Sequence, residues 1–181
     1  MHDVYYASIS SPDQIQSRDQ QARRTMRINP DICNNGLLRK ASRRVTQFYD
    51  GRVASSGLKS TQLVILMHID FLREPAPKTL AAHMSMDLSA LGHSLKLLER
   101  GGLIEMLADL EDGRARRVRL TGKGKEKFAQ AMALWHSAQI DLEKAAGKQN
   151  IHQLHALLGV LVSDDFERAL REIETDAAVP R

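Results

Sequence analysis

The chain has one cysteine, Cys33, in 181 residues. That excludes an internal disulfide and fits a reducing compartment. Aromatic residues make up only 4%. A chain this poor in rings and rich in Leu, Ala, Met and Arg is expected to be mostly helical. No run of about eighteen apolar residues occurs, so no membrane-spanning helix is expected. The N-terminal stretch, with Asp3 and a polar run after Ser10, lacks the apolar segment of a secretory signal. The expected location is therefore the cytoplasm. There is no glycine-rich phosphate loop, no Cys-x-x-Cys pair and no nucleophile elbow. Glu99, Glu105 and Glu111 are scattered, with no reason to pair. These absences argue against an enzyme, and no cofactor is expected. His152 and His155, followed by Asp164 and Asp165, do not form the converging set that a metal needs, so no metal is expected either.

What the chain does have is positive charge in clusters. The formal net charge is only +4, which permits a polyanionic partner without requiring one. The distribution is more telling. Between Arg114 and Lys127 there are seven Lys or Arg residues and one acid, Glu126. Arg18, Arg23, Arg24 and Arg27 form a second cluster, and Arg39, Lys40, Arg43 and Arg44 a third.

Residues 1–29, rich in Gln, Ser and Arg, are expected to be a weakly ordered arm. After Pro30, the positions Cys33, Leu37, Ala41, Val45 and Phe48 recur at three- and four-residue steps. They predict an amphipathic helix that ends near Asp50-Gly51. Ser60 or Thr61 is the expected cap of the next helix, which Glu74-Pro75-Ala76-Pro77 stops. A short helix follows from Lys78 to about Met84, then a tight Ser85-Met86 connection. Asp87 is the expected cap of a helix to Arg100. Its buried stripe should be Leu88, Leu91, Leu95 and Leu98, with Ser89, Ala90, His93, Lys96 and Arg100 facing away. Gly101-Gly102 should end it in a left-handed conformation.

Leu103–Leu107 and Arg117–Leu120 are expected to pair as a hairpin, with Val118 and Leu120 inward. Thr121 should cap a long helix to about Ala146. Gly147 and Asn150 break the pattern. One last helix, carrying Ile151, Leu154, Leu157, Leu158, Leu161 and Val162, should run on to about Glu174.

Two short helices in tight succession, then a basic hairpin, make a winged helix-turn-helix in a mainly α protein. In that arrangement the second helix enters the major groove, where base edges are distinguishable. Ser89, Ala90, His93 and Lys96 are short, polar or basic enough to face it. Gly92 allows close backbone approach. The wing arginines Arg114 and Arg116 suit a narrow minor groove, and Arg117 and Arg119 are the expected phosphate or solvent contacts.

At this point a family resemblance is visible. The segments LLRKASRRVTQFYD (Leu37–Asp50), GLKSTQLVILMHI (Gly57–Ile69), LAAHMSMDLSALGHSLKLLERGGLIE (Leu80–Glu105) and DGRARRVRLTGKG (Asp112–Gly124) resemble the MarR (multiple antibiotic resistance regulator) family of bacterial transcription factors. The resemblance implies that Arg114 enters the minor groove and that Asp112 orients it. It places Ser89, Ala90, His93 and Lys96 against bases and phosphates, and makes Gly102 the turn glycine. Gly101 departs from the pattern, which more often has a basic residue there.

The resemblance also implies a homodimeric repressor on a pseudo-palindromic DNA operator. Residues 57–120 would be the DNA-binding domain, and residues 30–56 and 121–178 the dimerisation helices. The protein would be bacterial, and associated with the nucleoid when bound to DNA. A small-molecule effector would bind in a crevice bordered by Met67, His68 and Phe71, unless His68 is a satisfied core histidine, the favoured reading of that residue. Cysteine oxidation is the family's other trigger. Cys33 sits on the apolar stripe and Arg39 and Lys40 are not adjacent to it, so packing or an interface is the favoured role and redox sensing the alternative. A winged-helix protein-interaction module is the rival from another class.

Overall fold

The computed structural model describes residues 32–109 and 116–177. Its chain divides into two compact units, Met1–Arg43 and Arg44–Arg181. Of the first unit, the described residues are 32–43, and all are exposed. The element order is α1 (Asn34–Val53), a 3-10 turn (Ala54–Ser56), α2 (Ser60–Leu72), α3 (Pro77–His83), α4 (Leu88–Arg100), β1 (Ile104–Ala108), β2 (Arg116–Leu120), α5 (Gly122–Ala146), α6 (Lys148–Leu161) and α7 (Asp164–Ala177). Among the described residues no helix is long and apolar enough to cross a membrane.

The core of the second unit sits where α2, α3, α4 and the hairpin meet. Leu63, Leu66 and Ile69 of α2, Leu80 of α3, and Leu91, Leu95 and Leu98 of α4 close on Ile104, Val118 and Leu120. Each such side chain contributes about 1.5–3 kcal/mol by leaving water. The hairpin is antiparallel, with Ile104 opposite Leu120 and Met106 opposite Val118 on the inward face. Thr121 caps α5: its hydroxyl accepts the Gly124 N–H at 2.9 Å and donates to the Gly102 carbonyl at 2.7 Å.

Several local expectations are corrected. Helix α1 continues through Gly51 to Val53, because its last turn has partners. Arg52 pairs with Asp141 at 2.6 Å and lies over the Phe48 ring. Neither Ser60 nor Thr61 caps α2 from the N-cap position, which Lys59 occupies. The free N-terminal groups are met from α1 and from within the first turn of α2. Asp50 accepts both the Ser60 N–H and its hydroxyl at 2.6 Å, and Gln62 accepts the Lys59 N–H at 2.9 Å.

Asp87 stands at the N-cap of α4 but makes no side-chain cap bond. Leu88 is 52% exposed and not part of the stripe, since the first turn of α4 projects beyond the core. The left-handed residue after α4 is Gly102 (φ 68), whereas Gly101 stays right-handed. The single C-terminal helix is two. Ser163 interrupts it by donating to the Val160 carbonyl and accepting the Phe166 N–H, which ends α6 and starts α7.

The Asp50–Ser60 contact carries a pH signature. The Ser60 hydroxyl, then its backbone N–H, hold the Asp50 carboxyl below its ordinary 3.8. A carboxyl depressed in the folded state stabilises above its unfolded value and loses that contribution as pH falls through the folded one. The melting-temperature gap between wild type and Asp50→Asn should therefore be widest near neutrality and narrow as pH falls below 3.8. A gap that grows on acidification contradicts the assignment.

Candidate nucleic-acid interface

Helix α4 presents two faces because of its period. At about 100° per residue, Leu91, Leu95 and Leu98 point one way into the core. Ser89, His93, Lys96 and Arg100 fall in an opposite wedge about 60° wide, and all four are exposed. Ala90 is exposed beside them. Among the described residues, the His93, Lys96 and Arg100 side chains make no hydrogen bond or ion pair. The expected reading face is therefore assembled and unoccupied by the protein's own groups.

Gly92 lies at the margin of this wedge, and a Cβ added there would meet nothing within 4 Å. Gly92→Ala should thus raise stability by about 1 kcal/mol. If backbone approach matters, the same change weakens DNA binding. A thermal melt and a gel shift on one sample separate the two effects, and a melting temperature below wild type would contradict the open-space reading.

The hairpin follows α4 directly. Of the expected wing residues, Asp112 and Arg114 lie outside the described residues. Arg116 is exposed at the start of β2. Arg117 is engaged by the protein itself: its Nε donates to Asp109 at 2.6 Å and its Nη1 to the Glu74 carbonyl at 3.3 Å. Arg119 pairs with Glu105 at 3.0 Å. Lys123 donates to the Gly101 carbonyl at 2.8 Å.

Near this interface lies a cavity of about 710 Å³. Its walls come from α1 (Val45, Thr46, Tyr49), the start of α2 (Ser60, Thr61, Val64), Met84, Met86 and Ser94, and Trp135 and Gln139 of α5. The lining is mostly apolar with a few polar groups, the usual make-up of a small-molecule site. Tyr49 donates to Gln139 Oε1 at 2.6 Å across it. Burial pushes the Tyr49 phenol up from its ordinary 10.0, so it remains a neutral donor.

The expected crevice residues Met67, His68 and Phe71 come together in a second recess. They line a smaller recess of about 430 Å³ with Asp70, His83, Phe128 and Met132. His68 bonds the Val64 carbonyl at 2.8 Å and its ring meets that of His83. Tyr49, Trp135 and Gln139 escaped sequence reasoning because α1 and α5 are remote in sequence and no local spacing links them. Cys33 is exposed within the single chain, where its Sγ accepts the Gly36 N–H at 3.4 Å. Among the described residues no group of three or more His, Cys, Asp or Glu could hold a metal.

No family model and no curated protein matches the sequence. Solved structures do match the fold. The transcriptional regulator MosR of M. tuberculosis, in complex with DNA, is 28% identical, with 71% of this chain and 97% of that chain covered and a TM-score of 0.60. A mutant MarR from E. coli, complexed with operator DNA, is 23% identical over 70% of this chain and 91% of that one, with a TM-score of 0.65. CouR from Rhodococcus jostii RHA1, bound to p-coumaroyl-CoA, is 19% identical over 76% and 96%, with a TM-score of 0.64. The last two similarities concern the fold alone. The chain has the winged helix-turn-helix fold of the MarR-family transcriptional regulators.

Proposed function

We propose that this chain is a MarR-family transcriptional regulator, a sequence-specific repressor that binds a pseudo-palindromic operator as a homodimer and is released by a small molecule. The observation that carries the reading is the wedge of Ser89, His93, Lys96 and Arg100, exposed and unpaired among the described residues, on the second helix of a winged helix-turn-helix. Residues 57–120 are the DNA-reading domain and the helices of 30–56 and 121–178 join two copies; the expected arm of residues 1–29 lies outside the described residues. Lys96 and Arg100 neutralise phosphates while His93 and Ser89 reach base edges. Arg114, braced by Asp112, enters the neighbouring minor groove. The protein acts in the bacterial cytoplasm, at the nucleoid when bound.

Replacing Lys96 or Arg114 by alanine tests the DNA reading. Each change should weaken operator binding, Arg114→Ala by about 1–3 kcal/mol. Gel shifts at wild-type affinity for both variants would refute it.

The effector reading rests on the cavity and on its apolar lining, which suits an aromatic or similarly flat apolar ligand. The chain's one tryptophan, Trp135, is in its wall. Among a panel of substituted phenols and benzoates, any compound that releases DNA should change Trp135 fluorescence at the same concentration. A releasing compound that leaves the emission unaltered would place the effector outside this cavity.

A further inference from the structure

We infer that Arg117 and Arg119 are struts that fix the wing to the α2–α3 turn, and that they are not phosphate ligands. The inference rests on the DNA-binding reading and divides the wing's basic strand into two kinds of cation. Arg119 is directly opposite Glu105 in the ladder. Its Nε and Nη2 both lie 3.0 Å from Glu105 Oε1, and its Nη1 is 3.8 Å from Glu74 Oε1. Arg117 is held at 2.6 Å by Asp109, whose side chain is only 10% exposed, and its Nη1 also donates to the Glu74 carbonyl. Between the two arginines, the Val118 N–H donates to the Pro75 carbonyl at 3.0 Å.

All three attachments converge on one turn. There Arg73 (φ 52) and Glu74 (φ 62) are consecutive non-glycine residues in the left-handed region. Such strain persists only where the surroundings over-determine it, and these wing contacts are part of that surrounding structure.

The charge balance follows. An arginine already matched by a carboxylate gives no net positive charge to a phosphate, so it adds little to the release of counterions from DNA. Arg116 has no such partner among the described residues, and neither do Lys96 and Arg100. Among the described cations of α4 and β2, the salt dependence of binding therefore comes from those three, and Arg117 and Arg119 act by holding the hairpin at its angle.

The test uses the full chain and a duplex selected by the wild-type protein from a random-sequence pool. The slope of log K against log salt is measured for three proteins: Arg116→Gln, Glu105→Gln/Arg119→Gln, and Asp109→Asn/Arg117→Gln. Arg116→Gln should lower the slope by about 0.9 for each phosphate that Arg116 neutralises. The two double variants remove a cation and its counter-charge together, so they should keep the wild-type slope even where affinity falls. A slope reduced in the double variants as much as in Arg116→Gln overturns the inference.

A second arm needs no DNA. The melting-temperature losses of Asp109→Asn and Arg117→Gln should be non-additive in the double variant, and additive losses overturn the inference as well. Absence of salt-sensitive binding in the wild type would instead count against the DNA-binding reading, and the thermal cycle would still decide whether Asp109 neutralises Arg117.

Discussion

Gly124→Ala will destabilise the protein by about 3 kcal/mol, the upper part of the range for overpacking, which lowers the melting temperature by roughly 10 °C in a domain of this size. Inside a helix, glycine to alanine ordinarily stabilises by about 1 kcal/mol, so the expected sign is the reverse of the propensity rule. The reason is geometric. Gly124 is buried in the first turn of α5, and a Cβ there would collide with the Leu103 carbonyl. That carbonyl is backbone at the entry to β1, and it already accepts the Thr121 N–H at 3.1 Å. Neither side can rotate away as a flexible side chain could. To make room, α5 must separate from the root of the wing, which strains the Thr121 cap as well. Gly92→Ala, open on all sides, is the internal control with the opposite sign. A Gly124→Ala protein that melts at or above wild type would show that α5 and the wing are not in contact at Leu103.

The larger functional effect is expected from the C-terminal helices. Leu157→Glu/Leu161→Glu should convert a dimer to a monomer and weaken operator binding by about 100-fold or more, the gain that joined binding units normally give. Helix α6 buries no residue within its own chain. Leu157 is 66% exposed, Val160 59% and Val162 71%, and Leu170 and Ile173 continue the apolar surface onto α7. Scattered apolar residues need no explanation, but so many exposed on two successive helices point to an association surface. Because Leu157 is mostly exposed and α6 buries no residue within its own chain, the double variant should keep its helical circular dichroism while its mass by light scattering halves. A variant that stays dimeric and binds at wild-type affinity would show that the interface lies elsewhere.

The reading face was legible in the sequence because a helix half-buried on one core writes its period into the chain. Leu91, Leu95 and Leu98 fixed the inward side, so Ser89, His93 and Lys96 had to face out. The Thr121 cap and the inward Val118 and Leu120 were legible for the same local reason. Leu88 misled because an apolar residue in phase with a stripe can still lie past the end of the core. The break at Ser163 had a local sign, a Ser followed by Asp164 and Asp165 at a helix start, but the leucines on both sides kept an apparently continuous pattern.

The ion pair of Arg119 was within reach too. Once Val118 is placed opposite Met106, Glu105 must stand opposite Arg119. The cavity was not legible: Tyr49, Val64 and Trp135 meet there from three helices, and that contact is set by packing rather than by spacing along the chain.

The most direct test of the account is selection of bound duplexes from a random-sequence pool by the full-length protein. A symmetric pair of α4 helices predicts enrichment of an inverted repeat whose half-sites are centred about 10 bp apart, one turn of DNA. Lys96→Ala should weaken capture without altering the repeat, and His93→Ala should relax one position in each half-site. A pool that stays random after repeated rounds, or that converges on one unrepeated element, would contradict a dimeric reader of DNA sequence.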